Sequence, residues 1–404
     1  MKALMLRAEP WRFGVLQVLR PLRKEFCYSG PFSAVRLTDI KEPELPSREW
    51  VKIRTILCGF CGSDLNLIMM KDSPTAMPFT SFPCVPGHEI CGEIVEKGDD
   101  AGDWKAGDIV LIAPPLSCES RGISPLCRSC SSGMSSNCEN FAEGVLSPGL
   151  FTGICRDING GFAPYVTAHR SQLFRVPAGT PPEHAVLTEP LACSLQAALD
   201  NMPEKGDRVL IIGGGVIGIL LLRALRALNT GCHITVVEPS EFAAEYARRS
   251  GAENVVAGNI IETAVSVAGG RAYKPLIGEP VVMGGFQRVY DTVGSRETLN
   301  RAMRALAAGG TLSVLGIAGD VKLDMTPLWL KLQTVRGCYA YGNYNDGKTV
   351  KPVFGMALDM ISRGKVDVSD MLTHTFTLDQ YRPLMKVNLS KGKHRAMKTA
   401  FRFQ

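Results

Sequence analysis

Four cysteines between residues 118 and 138 have the spacing of metal ligands. Cys127, Cys130 and Cys138 follow the pattern Cys-x2-Cys-x7-Cys, and Cys118 precedes them by eight intervening residues. The segment is rich in glycine and serine, so it cannot build a core, whereas four thiolates around one zinc ion would hold it together. Free thiols in a loop are the alternative, but clustered exposed thiols are reactive. We predict a closed four-thiolate zinc site with no open position for a substrate.

A glycine-rich turn at 213–218 has the form Gly-x-Gly-x-x-Gly and follows the apolar run VLIIGG, which is typical of a buried strand. The first glycine permits a tight turn, the second lets the backbone approach a pyrophosphate, and the third lets helix pack on strand. An acidic residue ends the next apolar run, 20 residues after the last glycine, where it accepts from a ribose 2′-hydroxyl and repels a 2′-phosphate. A turn without ligand is the alternative, but these flanks favour an NAD site. Its predicted residues are Gly213, Gly215, Val216, Ile217, Gly218 and Glu238.

Three further motifs carry thiol, imidazole and carboxylate groups at separated positions: CGSD at 61–64, GHEICG at 87–92 and EPLAC at 189–193. Together with the cysteine lobe and the glycine-rich turn, they occur in the order seen in zinc-containing medium-chain dehydrogenases. The chain therefore resembles that family, and EPLAC is similar to the signature of its sorbitol and threonine dehydrogenase branch. The resemblance covers nearly the whole chain. In the family the first cysteine of the lobe stands three residues before Cys127, where this chain has Ser124, so we expect Cys118 to take its place.

The resemblance implies a catalytic zinc ion held by Cys61, His88 and Glu189, in addition to the structural zinc of the cysteine lobe. Glu89 would lie beside this zinc as an exchangeable ligand. Asp64 would accept from the ring N–H of His88 and fix its tautomer, as carboxylates near metal-bound histidines commonly do.

The resemblance also implies that Ser63 contacts the substrate oxygen and passes on its proton, and that the backbone of Leu315 meets the carboxamide of NAD. Zinc with an open position would lower the pKa of a bound hydroxyl towards about 7, and the nicotinamide ring would accept the hydride. The expected reaction is the oxidation of a secondary alcohol or polyol, or the reduction of the ketone.

Two points stay open at this stage, and a third concerns the cysteine that precedes Cys61. Cys193 lies four residues after Glu189 on the same helix face, so spacing alone does not decide which of them binds zinc. Many relatives have histidine where this chain has Asn66, and an amide cannot titrate near neutral pH, so we expect proton release to bypass this position. Cys58 precedes Cys61 by three residues, and we interpret it as a buried bystander beyond which Gly59 and Phe60 form a turn.

The elements that position these residues change character near residue 189. Short alternating runs such as EWVKIRTILC (49–58) and EICGEIVEKG (89–98) predict a mainly-β domain, which the resemblance identifies as a GroES-like barrel. Further along, buried strands alternate with amphipathic helices, as in a doubly wound parallel Rossmann sheet of the α/β class. We predict a catalytic domain at 1–188, an NAD-binding domain at 189–337, and a return to the catalytic domain at 338–404. The segments 14–36 and 269–285 are interpreted as excursions.

Bulk properties fit a two-domain enzyme of 404 residues with a net charge of +6. The basic C-terminal run KVNLSKGKHRAMK has no interleaved aromatic residues, so we interpret it as a solvated face and do not expect nucleic-acid binding. The start of the chain has no apolar signal-peptide core, and the longest apolar run is too short to span a bilayer, so we expect a cytoplasmic protein with reduced thiols and no membrane partner. By analogy with relatives, residues 325–334 would form a helix that contributes to a homodimer or homotetramer.

Two other functions compete with a zinc-dependent dehydrogenase. A zinc-free C=C reductase of the same fold would lack the ligands Cys61, His88 and Glu189. A non-catalytic NAD- or zinc-binding relative would keep the scaffold without turnover, and Asn66 is the one feature that leans towards it.

Overall fold

A computed structural model describes residues 1–317 and 319–404. The chain forms two compact units, and each is described by itself. The first comprises Met1–Glu189, Tyr341–Gly364 and Val368–Gln404, and the second comprises Pro190–Ala340 and Lys365–Asp367.

The strands of the described residues are, in chain order, β1 (Lys2–Leu6), β2 (Val35–Asp39), β3 (Trp50–Phe60), β4 (Glu89–Lys97), β5 (Ile109–Ile112), β6 (Tyr165–His169), β7 (Leu173–Arg175), β8 (Arg208–Ile212), β9 (His233–Val237), β10 (Asn254–Val256), β11 (Arg271–Tyr273), β12 (Val281–Met283), β13 (Phe286–Asp291), β14 (Leu306–Val314), β15 (Thr334–Gly337), β16 (Asn343–Asn345), β17 (Val350–Pro352), β18 (Leu372–Phe376) and β19 (Lys398–Arg402). The α-helices of the same residues are α1 (Pro10–Leu19), α2 (Gly62–Ile68), α3 (Arg128–Ser131), α4 (Pro182–Ala185), α5 (Thr188–Asp200), α6 (Val216–Ala227), α7 (Glu241–Arg249), α8 (Ile260–Ser266), α9 (Arg296–Ala305), α10 (Thr326–Leu330), α11 (Val353–Ser362), α12 (Tyr381–Asn388) and α13 (Lys391–His394).

The first unit is built on a sheet in the order β18-β19-β3-β4-β5-β7, with β6 paired to β3. The long strand β3 has apolar residues such as Val51 and Ile53 facing the core, and all its neighbours in the sheet run antiparallel to it. Antiparallel order with one buried face matches the alternating sequence pattern. The sheet brings three distant segments of the chain side by side.

The register of β3 corrects one sequence-based expectation. Gly59 and Phe60 do not form a turn, because Gly59 pairs with Glu89 of β4 on one side and with Ala400 of β19 on the other. The strand ends at Phe60, and α2 begins directly after Cys61. Glu89 and the start of β19 are thereby fixed next to the segment that carries Cys61.

The second unit contains a six-stranded parallel sheet in the order β10-β9-β8-β13-β14-β15. The inner strands are continuous apolar runs, as in β8, where Val209 to Ile212 are buried. Strands buried on both faces and separated by helices are characteristic of doubly wound folds, so the predicted α/β class is confirmed. The turn after β8 leads straight into α6.

Both predicted excursions have ordered structure. The first, 14–36, includes the C-terminal part of α1 and packs on the turn after α2, where Gln17 and Arg20 donate hydrogen bonds to the carbonyl of Met70. The second is the β11–β12 hairpin. The helix expected over 325–334 is shorter, and its Trp329 is 65% exposed. Across residues 1–317 and 319–404, no helix is both long and apolar enough to cross a lipid bilayer.

Candidate metal centres and cofactor site

The cysteine lobe brings four thiols to one point. The sulfur atoms of Cys118, Cys127, Cys130 and Cys138 all lie within 4.8 Å of one another, and those of Cys118 and Cys138 are 3.7 Å apart. A tetrahedral zinc site with Zn–S bonds of about 2.3 Å requires sulfur atoms about 3.8 Å apart, so the thiols fit the ion. The lobe lacks a cysteine at Ser124, and the structure brings Cys118 into the group instead.

Backbone N–H groups are directed at these sulfur atoms. Cys127 Sγ accepts from the N–H groups of Cys130 and Glu139, each at 3.4 Å, and Cys118 Sγ accepts from the N–H of Cys127. Burial acts to raise the pKa of Cys127, but these hydrogen bonds outweigh it and lower the pKa to about 6. Without an ion, Cys127 is the cysteine whose surroundings favour the thiolate, the form that binds zinc, whereas burial raises the pKa values of Cys130 and Cys138.

Arg121 is a residue of this lobe that the sequence analysis missed. Its side chain is fully buried, and its five N–H groups have five backbone carbonyl partners. The accepting carbonyls belong to Leu116, Glu143, Leu146, Ser147 and Gly149. Because these residues flank the cysteines, the guanidinium sets the path of the loop that carries them.

A second group consists of Cys61, His88 and Glu89, whose ligand atoms also lie within 4.8 Å of one another. Cys61 occupies the cap position before α2, and His88 and Glu89 stand where β4 begins. A thiol, an imidazole and a carboxylate are the donor types of catalytic zinc sites. The ligand atoms of all three residues converge on one point, so this donor set fits a metal cation.

Asp64 holds two of these residues in place. Its Oδ2 accepts from the backbone N–H of Cys61 at 2.9 Å, and its Oδ1 lies 3.5 Å from Nδ1 of His88. Burial disfavours the charged imidazole, but the Asp64 carboxylate outweighs this and raises the pKa of His88 well above its usual range. With Nδ1 facing Asp64, the other ring nitrogen is left for Cys61 and the metal.

Lys398 is the second important residue that the sequence analysis missed. Its buried ammonium donates to Oε1 of Glu89 and also makes an ion pair with Oε2. Burial acts to lower the pKa of Lys398, but the charge of Glu89 prevails and raises it. Gly59 makes room for this pair, since a Cβ there would overlap Glu89 Oε2.

The other residues predicted for this site lie outside the three-residue group. Glu189, near the start of α5, is buried and near enough to raise the pKa of Lys398, yet it is not part of the three-residue group. Cys193 also lies outside it and is partly exposed. Ser63 and Asn66 lie on α2, both half-buried.

The second unit contains the glycine-rich turn in the expected place. Gly213 has a φ of +98°, and a Cβ on Gly218 would overlap the carbonyl oxygen of Gly213, so both glycines are required. α6 begins at Val216 and Ile217, where its free N–H groups form an anion site. The backbone of Leu315 is held by a hydrogen bond from its N–H to the carbonyl of Asp291.

Glu238 is fixed at the end of β9. Its two carboxylate oxygens accept from the N–H groups of Gly214 and Ser240, each at 2.7 Å. Asp291 acts as a turn residue, since its carboxylate accepts from the N–H groups of Val293 and Gly294. These contacts place one carboxylate next to the glycine-rich turn, where a ribose would lie.

Comparison with known families shows the family to which the chain belongs. Residues 47–178 match the alcohol dehydrogenase GroES-like domain, and residues 216–355 match the zinc-binding dehydrogenase domain. The chain belongs to the zinc-type medium-chain dehydrogenase family. The expected GroES-like and Rossmann domains are thereby confirmed.

Relatives of this medium-chain dehydrogenase act on hydroxyl groups. It is 27% identical to L-idonate 5-dehydrogenase of Vitis vinifera over 82% of the chain and 81% of that enzyme. It is 25% identical to (R,R)-butanediol dehydrogenase of Bacillus subtilis over 85% of the chain and 90% of that enzyme. A putative zinc-binding dehydrogenase from Sinorhizobium meliloti bound to NADP is 26% identical, with a TM-score of 0.71 over 91% of the chain and 95% of that structure. The protein is an oxidoreductase of the alcohol and polyol type.

The two cysteines near the N-terminus of α2 should have different effects on metal content. Cys58 is fully buried in β3, and burial raises its pKa well above the usual range, which disfavours the ligating thiolate. We expect Cys61→Ala to lose one zinc ion per chain and nearly all turnover of the dehydrogenase. Cys58→Ala should keep both zinc ions, as measured by atomic emission on the purified proteins. Equal zinc loss in the two variants would contradict the assignment.

Proposed function

We propose that the protein transfers hydride between a secondary alcohol or polyol hydroxyl and NAD, at a catalytic zinc ion held by Cys61 and His88. In the oxidative direction the alcohol carbon gives hydride to NAD+, the hydroxyl gives up a proton, and the products are a ketone, NADH and H+. The observation that carries this proposal is the group of Cys61, His88 and Glu89 with its two supporting charges, Asp64 and Lys398.

Each side chain has a distinct task in this scheme. Zinc, when bound, would withdraw electrons from the substrate oxygen and make its proton easier to lose. Asp64 keeps the thiolate and the imidazole oriented towards the ion. Ser63, on the first turn of α2, would accept the hydroxyl proton through its side-chain oxygen and pass it on.

The third zinc ligand is proposed to be Glu189. Glu89 is already neutralised by Lys398, so it is the weaker competitor for the ion, although one of its carboxylate oxygens lies near Cys61 and His88. A carboxylate in so close an ion pair suits an exchangeable ligand, and the buried carboxylate of Glu189 acts on the charge of Lys398 from nearby.

We propose NAD and not NADP as the cofactor because of the carboxylate of Glu238. Both of its oxygens are held by backbone N–H groups, so the carboxylate cannot easily turn away from a 2′-phosphate. A hydroxyl can donate to this carboxylate, but a phosphate would be repelled by it.

One measurement set tests the whole proposal. The zinc content of the purified protein is determined, and NAD+ and NADP+ reduction is followed with secondary alcohols and polyols, and with primary alcohols as controls. We expect two zinc ions per chain, turnover with secondary alcohols, and a higher kcat/KM with NAD+. One zinc ion per chain together with reduction of enones would instead show a C=C reductase without a catalytic zinc ion. Cofactor binding without turnover would show a non-catalytic relative.

A further inference from the structure

A small cleft lies beside the C-terminal end of α2, the helix that begins directly after Cys61. It has an internal volume of about 40 Å3, enough for one small chemical group. The lining is formed by Ala8, Phe13, Leu67, Met70, Asp72, Ser73, Ala76, Met77, Thr80 and Phe82. Most of these side chains are apolar, and Asp72 is the one charged residue among them.

The carboxylate of Asp72 is held in this apolar surrounding without a counter-charge. Among residues 1–317 and 319–404, no hydrogen bond or ion pair of Asp72 is found, and the residues that line the cleft include no cation. Arg20 donates its hydrogen bonds to the carbonyls of Met69 and Met70 instead. Burial, and after it the charge of Asp64, raises the pKa of Asp72 to about 6. An unpaired carboxylate in such a place costs folding free energy, which a bound cation would offset.

The cleft continues the helix face that carries Ser63. Residues four apart lie on one face of a helix, so Leu67, which lines the cleft, follows Ser63 on the same side of α2. At 1.5 Å rise per residue, the cleft begins about 6 Å beyond Ser63. A substrate whose hydroxyl is at Ser63 could therefore place its far end next to Asp72.

We propose that this cleft binds the ammonium group of the substrate, so that the enzyme prefers amino alcohols to neutral alcohols of the same length. The inference rests on the proposed function and adds to it the substrate class. A primary ammonium is small enough for the cleft, its alkyl chain would contact Phe13, Leu67 and Met77, and its charge would pair with Asp72. An anionic substrate end would find no cationic group among the lining residues.

The test compares amino-alkan-2-ols of increasing chain length with the neutral alkan-2-ols in which a methyl group replaces the ammonium. For the wild type we expect kcat/KM to be roughly tenfold or more higher for the amino alcohol at the best length. Asp72→Asn should remove this preference while kcat/KM for neutral alcohols stays within about twofold. Asp39→Asn, at an exposed carboxylate that ends β2, is the matched control and should change neither series.

A binding measurement separates this inference from the proposed function. Titration calorimetry with an alkylammonium chloride, which has no hydroxyl to oxidise, should detect binding to the zinc-loaded wild type and at least tenfold weaker binding to Asp72→Asn. Binding without any alcohol turnover would keep the cleft and reject the dehydrogenase proposal. Turnover of both alcohol series with equal efficiency, or equal alkylammonium binding by the two proteins, would overturn the inference. Because the substitution removes an unpaired, half-buried charge, Asp72→Asn should be at least as stable as the wild type.

Discussion

Arg121→Met is expected to empty the cysteine lobe of zinc while the second metal centre keeps its ion. The guanidinium of Arg121 satisfies five carbonyls, and a thioether can satisfy none of them, so five buried acceptors would lose their donor. We expect the free energy of unfolding to fall by at least about 3 kcal/mol, since hydrogen bonds to a charged group are lost, even if their contributions are not additive. Four thiolates around Zn2+ also carry a net negative charge, which the buried cation offsets.

The measurement is zinc content per chain together with proteolysis of the loop between residues 118 and 149. Zinc should fall from two ions to one, and cleavage should appear within this loop. Arg121→Lys gives three donors for five carbonyls and should be intermediate. Arg128→Met, at an exposed arginine of the same lobe, is the control and should retain both ions. Two zinc ions in Arg121→Met would show that the thiolates alone set the path of the loop.

What the sequence predicted best were sites whose residues are close together or recur in a fixed local pattern. The four cysteines lie within one loop, so their spacing was enough to predict one zinc site, including Cys118 in place of a cysteine at Ser124. The glycine-rich turn was equally local, because a strand, a turn and a helix follow each other directly. At both sites the functional residues belong to one continuous segment of the chain.

The sequence could not reveal partners that strand pairing brings from far away. Lys398 is 309 residues from Glu89, and nothing in the run AMKTAFRF distinguishes a strand that pairs with β3 from a solvated edge strand. The basic C-terminal region was interpreted as a solvated face, which is wrong for this lysine. Arg121 stands in a polar loop and was overlooked for the same reason, since an isolated arginine is usually exposed.

Asp72 shows a different limit of prediction from the sequence. Its sequence neighbours Lys71 and Ser73 are typical of an exposed turn. Its surroundings become apolar because Phe13 of α1 and Met77 and Phe82 of the following segment line the same cleft. The first excursion could be recognised from the sequence, but the side on which it packs could not. Substrate preference in this enzyme therefore depends on a segment outside the family motifs.

Lys398→Met is expected to destabilise the metal-free protein more than the zinc-loaded one. In the wild type the buried carboxylate of Glu89 is paired with Lys398, and removal of one partner of a buried ion pair costs about 3–5 kcal/mol. Zinc would supply a replacement charge next to Oε2 of Glu89, so the loss should be smaller with the ion bound. Thermal unfolding followed by tryptophan fluorescence measures this, because Trp11, Trp50 and Trp104 lie in the first unit.

The double variant Glu89→Gln with Lys398→Met distinguishes charge balance from simple packing. It removes both charges, so it should recover much of the stability that Lys398→Met loses, since buried ion pairs are often replaced by neutral groups at little cost. Lys398→Arg keeps the charge and should lose less than Lys398→Met, although Gly59 leaves limited room for the larger head group. Equal destabilisation of the metal-free and zinc-loaded forms by Lys398→Met, with no recovery in the double variant, would mean that the lysine acts through packing alone. The expected pattern would instead show that Lys398 controls how strongly Glu89 competes for the catalytic ion. Ligand exchange at this centre would then depend on a residue of β19, the last strand of the chain.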